Sequence, residues 1–157
     1  MSERDLARFV DAQSDGEYEA ALAEMKAGRK QSHWIWYVFP QIAGLGMSHM
    51  SQLYAIRDRD EAVAYLRHPV LSARLLEITA AVAEHIRKGV PLDRLMGSSI
   101  DATKLVSSLT LFGEVARRLS DSPADANAVL ADLAEEVLIA AAARGYPRCR
   151  HTLDRLR

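Results

Sequence analysis

Cysteine is almost missing from this chain. Cys149 stands alone among 157 residues, so no internal disulfide forms and a reducing compartment is expected. Glycine (8) and proline (5) are too scarce for a low-complexity or disordered polypeptide. An excess of one charge is lacking too: 20 Lys and Arg nearly cancel 21 Asp and Glu, which leaves no field to hold a polyanion and argues against a nucleic-acid partner. No stretch reaches the roughly 18 consecutive apolar residues of a membrane span, and the opening MSERDLARFV has no apolar core of a signal segment, so no membrane partner and a cytoplasmic location are expected. No histidine pair stands at metal-binding helical spacing and no Cys/His cluster exists, so no metal is expected. Gly44-Leu45-Gly46 is too short for a dinucleotide fingerprint, no βαβ unit frames it, and there is no Gly-x-Ser-x-Gly elbow; no cofactor is expected.

What is there is helical punctuation around apolar stripes, in a chain of the size that buries one core unaided. The pattern predicts an all-α, single compact multi-helix domain over 1–157, with no internal repeat and no linker long enough to divide it. Helices are expected over Asp5–Ala12 and Glu17–Ala27, the second capped by Asp15 and stopped by Gly28. The run Ser32 to Phe39 is rich in aromatic and β-branched residues, which favours a strand. No partner strand is evident, however, so a short helix capped by Ser32 and ended by Pro40 is expected. Gln41 to Met50 reads as a loop. Further helices are expected at Ser51–Ile56, Glu61–Arg67 and Pro69–Lys88, then from about Asp101 to Leu119 and from Ala124 to Ala143, with Val70 and Val129 placed on the buried faces of their helices. The tail, Arg144 to Arg157, carries five arginines and His151 and reads as solvated charge.

Two segments hold polar residues that plain packing does not explain. The first is Gly28-Arg29-Lys30-Gln31-Ser32-His33-Trp34-Ile35-Trp36, continuing to Gln41. Both tryptophans follow two cations and a histidine, and aromatic faces beside cations suit a flat anionic ligand: Trp34 or Trp36 stacks the ring while Lys30 holds the anion. Such rings are core residues in the ordinary case, and a lone histidine such as His33 is ordinarily structural. The second segment runs from Gly97 to Phe112. On a helix Asp101, Lys104 and Ser108 share one face, while Ser107 and Thr110 make a polar pair on another. Asp101 and Lys104 alone would be a surface ion pair, but hydroxyl residues are middling helix formers, and a merely solvated face more often carries Glu, Lys or Ala.

The run Gly28 to Gln41, with Gly44-Leu45-Gly46, Ser48, Tyr54-Ala55-Ile56, His68-Pro69, Asp101, Lys104-Leu105, Ser107-Ser108 and Thr110-Leu111-Phe112, resembles an uncharacterised family of mostly helical bacterial and fungal proteins. Its members sometimes bear the label calpastatin-like. That label does not suit this chain, since calpastatin is a long disordered inhibitor and this sequence is apolar enough to fold. The resemblance implies a helical domain and no established activity. In the family's C-terminal pattern an acidic residue stands three before a Thr-Leu pair; before Thr152-Leu153 this chain has Cys149 instead.

The residues support two readings of function. In the first, the segments Lys30–Gln41 and Gly97–Thr110 form a pocket for a nucleotide or ADP-ribose-like compound, and the chain is a binding domain or a hydrolase acting on it. Lys30, Ser32, Trp34, Trp36, Gln41, Gly46, Ser48, Ser107, Ser108 and Thr110 bind the ligand, while His33, Asp101 and Lys104 serve catalysis. In the second, the Trp34/Trp36 surface is an exposed patch for a protein partner of unknown identity, with no catalysis.

Overall fold

A computed structural model of the chain describes residues 3–157, with side chains from Leu6 onward. Among the described residues ten helices succeed one another: α1 (Glu3–Ala12), α2 (Glu17–Ala27), α3 (Ile35–Val38), α4 (His49–Leu53), α5 (Arg59–Arg67), α6 (Pro69–Arg87), α7 (Leu92–Leu95), α8 (Ser99–Leu119), α9 (Ala126–Ala143) and α10 (Arg150–Arg155). Among the same residues there is no strand; the extended pairing consists of one parallel bridge between Ile42 and Ile56.

Side chains that mop up free N–H groups set the helix starts. Ser48, Asp58, Ser98 and Asp125 each accept a bond from the backbone three residues on, as N-cap residues do, and His68 does the same for α6 with Pro69 in its first turn. At α2 the expected cap fails. Gly16, in the left-handed region, occupies the N-cap and no side chain bonds there, while Asp15 itself takes a positive φ of 58° in the preceding turn.

α8 is the axis of the molecule. From Leu105 to Phe112 every residue is buried, because α9, α5, α3, α7 and α10 all pack on it. Over these eight residues the helix has no solvated face. Small side chains then matter for close approach: a Cβ on Gly113 would lie 3.0 Å from that of Ala134 on α9. The second layer is α6, which packs against α9, α2 and α5. Phe9, Tyr65 and Phe112 join α1, α5 and α8 in one aromatic cluster, edge-to-face at 5.3 Å between Phe9 and Tyr65 and tilted at 4.9 Å between Tyr65 and Phe112.

Several boundaries differ from those expected. α3 covers four residues, not the whole of Ser32 to Phe39, and Ser32 does not cap it; Trp34 holds the N-cap position. α4 ends at Leu53, because Ile56 is drawn into its bridge with Ile42 by bonds from Ile56 N–H to the Gln41 carbonyl and from Ala43 N–H to the Ile56 carbonyl. Val70 and Val129 lie on the outer faces of their helices, 42% and 41% exposed. The tail folds, with Thr152 and Leu156 buried against the body.

Candidate functional site

The two polar segments meet. α7 and the turn at Gly97 place the start of α8 beside residue 30: Lys30 N–H donates to the Leu95 carbonyl at 2.7 Å, and the Gly97 α-carbon lies so close that a Cβ there would come within 3.0 Å of the Lys30 carbonyl. Gly97 also takes a positive φ of 83°, so the position favours glycine on both counts. This brings Lys30 Nζ to 2.8 Å from Asp101 Oδ2, and Lys104 Nζ to 3.9 Å from Asp101 Oδ1. Lys30 also donates to the Ser32 carbonyl. Each ammonium lies over an indole, Lys30 at 4.9 Å from the Trp34 centroid and Lys104 at 5.0 Å from that of Trp36. The resulting order is ring, cation, carboxylate, cation, ring.

The group is mostly enclosed. The Lys30 side chain is 4% exposed, Asp101 18% and Lys104 22%. Trp34 belongs to the core, and its indole N–H donates to Glu24 Oε1 at 3.0 Å. It offers no open face for a ligand ring. Trp36 is half-buried, and its indole N–H is buried with no acceptor among the described residues. His33 is exposed; its carbonyl accepts from the Tyr37 hydroxyl, and its ring bonds neither Asp101 nor Lys104.

Glu24, which nothing in the sequence pattern singles out, organises this corner from α2. Its carboxylate accepts from the N–H groups of Gln31 (2.7 Å) and Ser32 (2.9 Å), from the Ser32 hydroxyl (2.6 Å) and from Trp34. Ser32 is thereby committed to Glu24. Burial alone would push the Glu24 carboxyl up, but these four donors outweigh it and hold the group down at about 2. The signal for it is weak: an acid on α2 faces the free N–H groups of a following loop.

Beside α8 opens a cleft of about 220 Å³, walled by Gln41 and Leu45 from the turn after α3, by Thr103, Val106 and Ser107 from α8, and by the segment Gly145 to Cys149. Of the expected ligand residues only Gln41 and Ser107 line it. Ser107 is 3% exposed, and its hydroxyl has no hydrogen-bond partner. At about 100° per residue, Thr103, Val106 and Ser107 cluster on one side of α8, while Asp101 and Ser108 lie toward the other, with Lys104 between them. Ser108 is fully buried and also unpartnered. Thr110 is committed: its hydroxyl donates to the Val106 carbonyl at 2.7 Å and accepts from Cys149 N–H at 3.3 Å. Gly46 and Ser48 build the turn that leads into α4; Gly46 takes a φ of 91° and Ser48 is the cap.

The tail supplies the third wall and pins the first. His151 Nε2 and Arg155 both bond the Ala43 carbonyl, at 2.9 and 3.1 Å, and Arg155 also donates to the Arg57 carbonyl. Its other arginines largely meet acids: Arg144 faces Asp93, Arg148 faces Glu135 and Arg157 faces Asp154. Among the described residues no group of three or more His, Cys, Asp or Glu is placed to hold a metal ion. No described helix is long and apolar enough to cross a membrane.

Fold and site thus describe a small all-α protein with an enclosed ion-pair cluster and a neutral cleft on different sides of a central helix. The chain belongs to the family described as "Protein of unknown function (DUF1810)", whose model matches residues 3–133. It is similar to the conserved hypothetical protein Rv1873 from Mycobacterium tuberculosis, whose crystal structure was determined at 1.38 Å: the two are 35% identical, with a TM-score of 0.72, over 97% of this chain and 96% of that one. No curated protein matches the chain. The function of the family is unknown.

Proposed function

We propose that the protein binds a small molecule in the cleft between Gln41, α8 and the Gly145–Cys149 segment. The observation that carries this reading is the Ser107 hydroxyl, buried in the cleft wall with no partner. A buried hydroxyl without a bond costs free energy, and a ligand that supplies the bond recovers it. Ligand pockets hold about 300–1,000 Å³. At about 220 Å³ this cleft takes a single ring system, and a compound as large as ADP-ribose would lie mostly outside it. The partner-patch reading has less support, because Trp34 is 1% exposed and presents no surface. Asp101 sits between two ammonium groups, and its evident work is to fix the start of α8 to the Lys30–Trp36 segment.

Cys149 lines the cleft and is the sole thiol, so its modification rate with a thiol reagent reports occupancy. Single-ring heterocycles should slow that rate in a saturable way. Thr103→Phe, at an exposed position on the cleft wall, should abolish the protection while the domain stays folded. If no single-ring compound protects the thiol, the binding reading is wrong.

A further inference from the structure

The chemistry of the cleft walls narrows the class of ligand, an inference that rests on the binding reading proposed for this site. None of its lining residues is Asp, Glu, Lys, Arg or His. Lys30, the cation expected to hold an anion, is not among them, and neither is Lys104; both face Asp101 instead. An anion seated here would lose its hydration without gaining a countercharge, which is strongly unfavourable. The walls instead combine apolar surface from Leu45, Val106 and Pro147 with three neutral polar groups: the Gln41 carboxamide, the Ser107 hydroxyl and the Tyr146 phenol. No hydrogen bond within the described residues engages any of these three side-chain groups. Thr103, by contrast, already donates to the Ser99 carbonyl.

A carboxamide presents an N–H donor beside a carbonyl acceptor, and its complement is another edge with acceptor and donor side by side. The same pairing lets Asn and Gln read adenine in two parallel bonds. A sugar would ask for more hydrogen-bonding partners than three and would waste the apolar walls, whereas a purely hydrocarbon ring would leave all three polar groups without bonds. We propose that the cleft recognises a neutral, planar, base-sized heterocycle with a lactam edge, held by two hydrogen bonds to the Gln41 carboxamide, one donated and one accepted by it, and by one to the Ser107 hydroxyl.

The test uses Cys149 protection in the full chain with a matched set of probes: 2-pyridone and uracil, which carry the lactam edge; N-methyl-2-pyridone, which has lost the donor; and benzoate, a planar anion. The expected result is saturable protection by 2-pyridone and uracil, with N-methyl-2-pyridone and benzoate each about tenfold weaker. Gln41→Leu should weaken 2-pyridone by about the same factor, and Gln41→Met, which keeps the size and stays uncharged but lacks both amide groups, should do likewise while melting as the parent does. Equal protection by 2-pyridone and its N-methyl form, indifference to both Gln41 variants, or preference for benzoate would overturn the lactam assignment while leaving the cleft as a binding site. Absence of protection by every probe would overturn the binding reading and this one with it.

Discussion

Lys30 is a cation that folding has removed almost wholly from water, and its stability rests on one carboxylate and one carbonyl. Taking away a partner from a buried charge costs far more than the pair contributes net. Asp101→Asn should therefore lower the unfolding free energy by about 3 kcal/mol, whereas Lys104→Ala, which removes a partner at 3.9 Å, should cost about 1 kcal/mol or less. Urea denaturation of the two variants measures both, and equal losses would contradict the assignment of Lys30 as the dependent charge. Glu24 is a half-buried carboxylate whose charge holds the loop after α2. Its folded carboxyl is lowered from 4.5 to about 2, so it contributes stability that is fully present above about 4.5 and is lost as pH falls through the interval to about 2. Glu24→Gln should cost on the order of 2 kcal/mol at pH 7, allowing for solvent screening. Its stability should converge on the parent's as pH approaches 2. A gap that stays constant with pH would show that the charge is not what holds the loop.

Between elements, the most telling contact joins the Ala43–Gly46 turn to α10. A Cβ on Gly44 would lie 2.8 Å from His151 Nε2, in a backbone with a φ of 99°. Gly44→Ala should push α10 away, cost on the order of 1–3 kcal/mol and raise the Cys149 modification rate severalfold. Gly89→Ala is the control: its φ is 87°, yet nothing lies within 4 Å of the added carbon, so it should lose stability without changing the thiol rate. This contact also shows where sequence reasoning stops. The starts of α5 and α8 are legible because Asp58 and Ser98 act on N–H groups three residues away. Ser32 carries the same signal, but Glu24 captures it from eight residues back and the cap is lost. α10 has little apolar pattern of its own. It forms because Thr152 and Leu156 bury and because His151 reaches a carbonyl 108 residues earlier, a separation no local period encodes. For the same reason Gln41 and Ser107 stand out in the sequence, while Tyr146, Pro147 and Cys149, on the far wall of the same cleft, read as solvated tail. The hydroxyl run on α8 reads as a sign of function, and enclosure explains much of it: Ser108 and Thr110 sit where five helices crowd the axis and small side chains admit them.

On the scale of the whole molecule the question is whether the C-terminal segment belongs to the cooperative unit or rides on it. The family model stops at residue 133, yet the third wall of the cleft lies at Gly145 to Cys149, and the similarity to the Mycobacterium tuberculosis protein extends over 97% of the chain. Burial argues for membership. Leu156 is 1% exposed and Thr152 0%, and Arg118 on α8 donates to the Leu156 carbonyl at 3.2 Å. Burying one leucine contributes about 1.5–3 kcal/mol, and the bonds from His151, Arg155 and Arg118 to backbone carbonyls add to it. A chain ending at Ala143 should therefore remain helical but lose about 3 kcal/mol of stability, which in a domain of this size lowers the melting temperature by roughly 6–12 °C. The truncation also uncovers Thr110, whose bond from Cys149 N–H disappears, and opens the cleft to solvent along one side. Thermal melting followed by circular dichroism decides the point. A truncated chain that melts within about 2 °C of the full one would mean that the tail docks without joining the fold. A drop of the expected size, in a single transition, would make the cleft wall and the hydrophobic core parts of one folding unit.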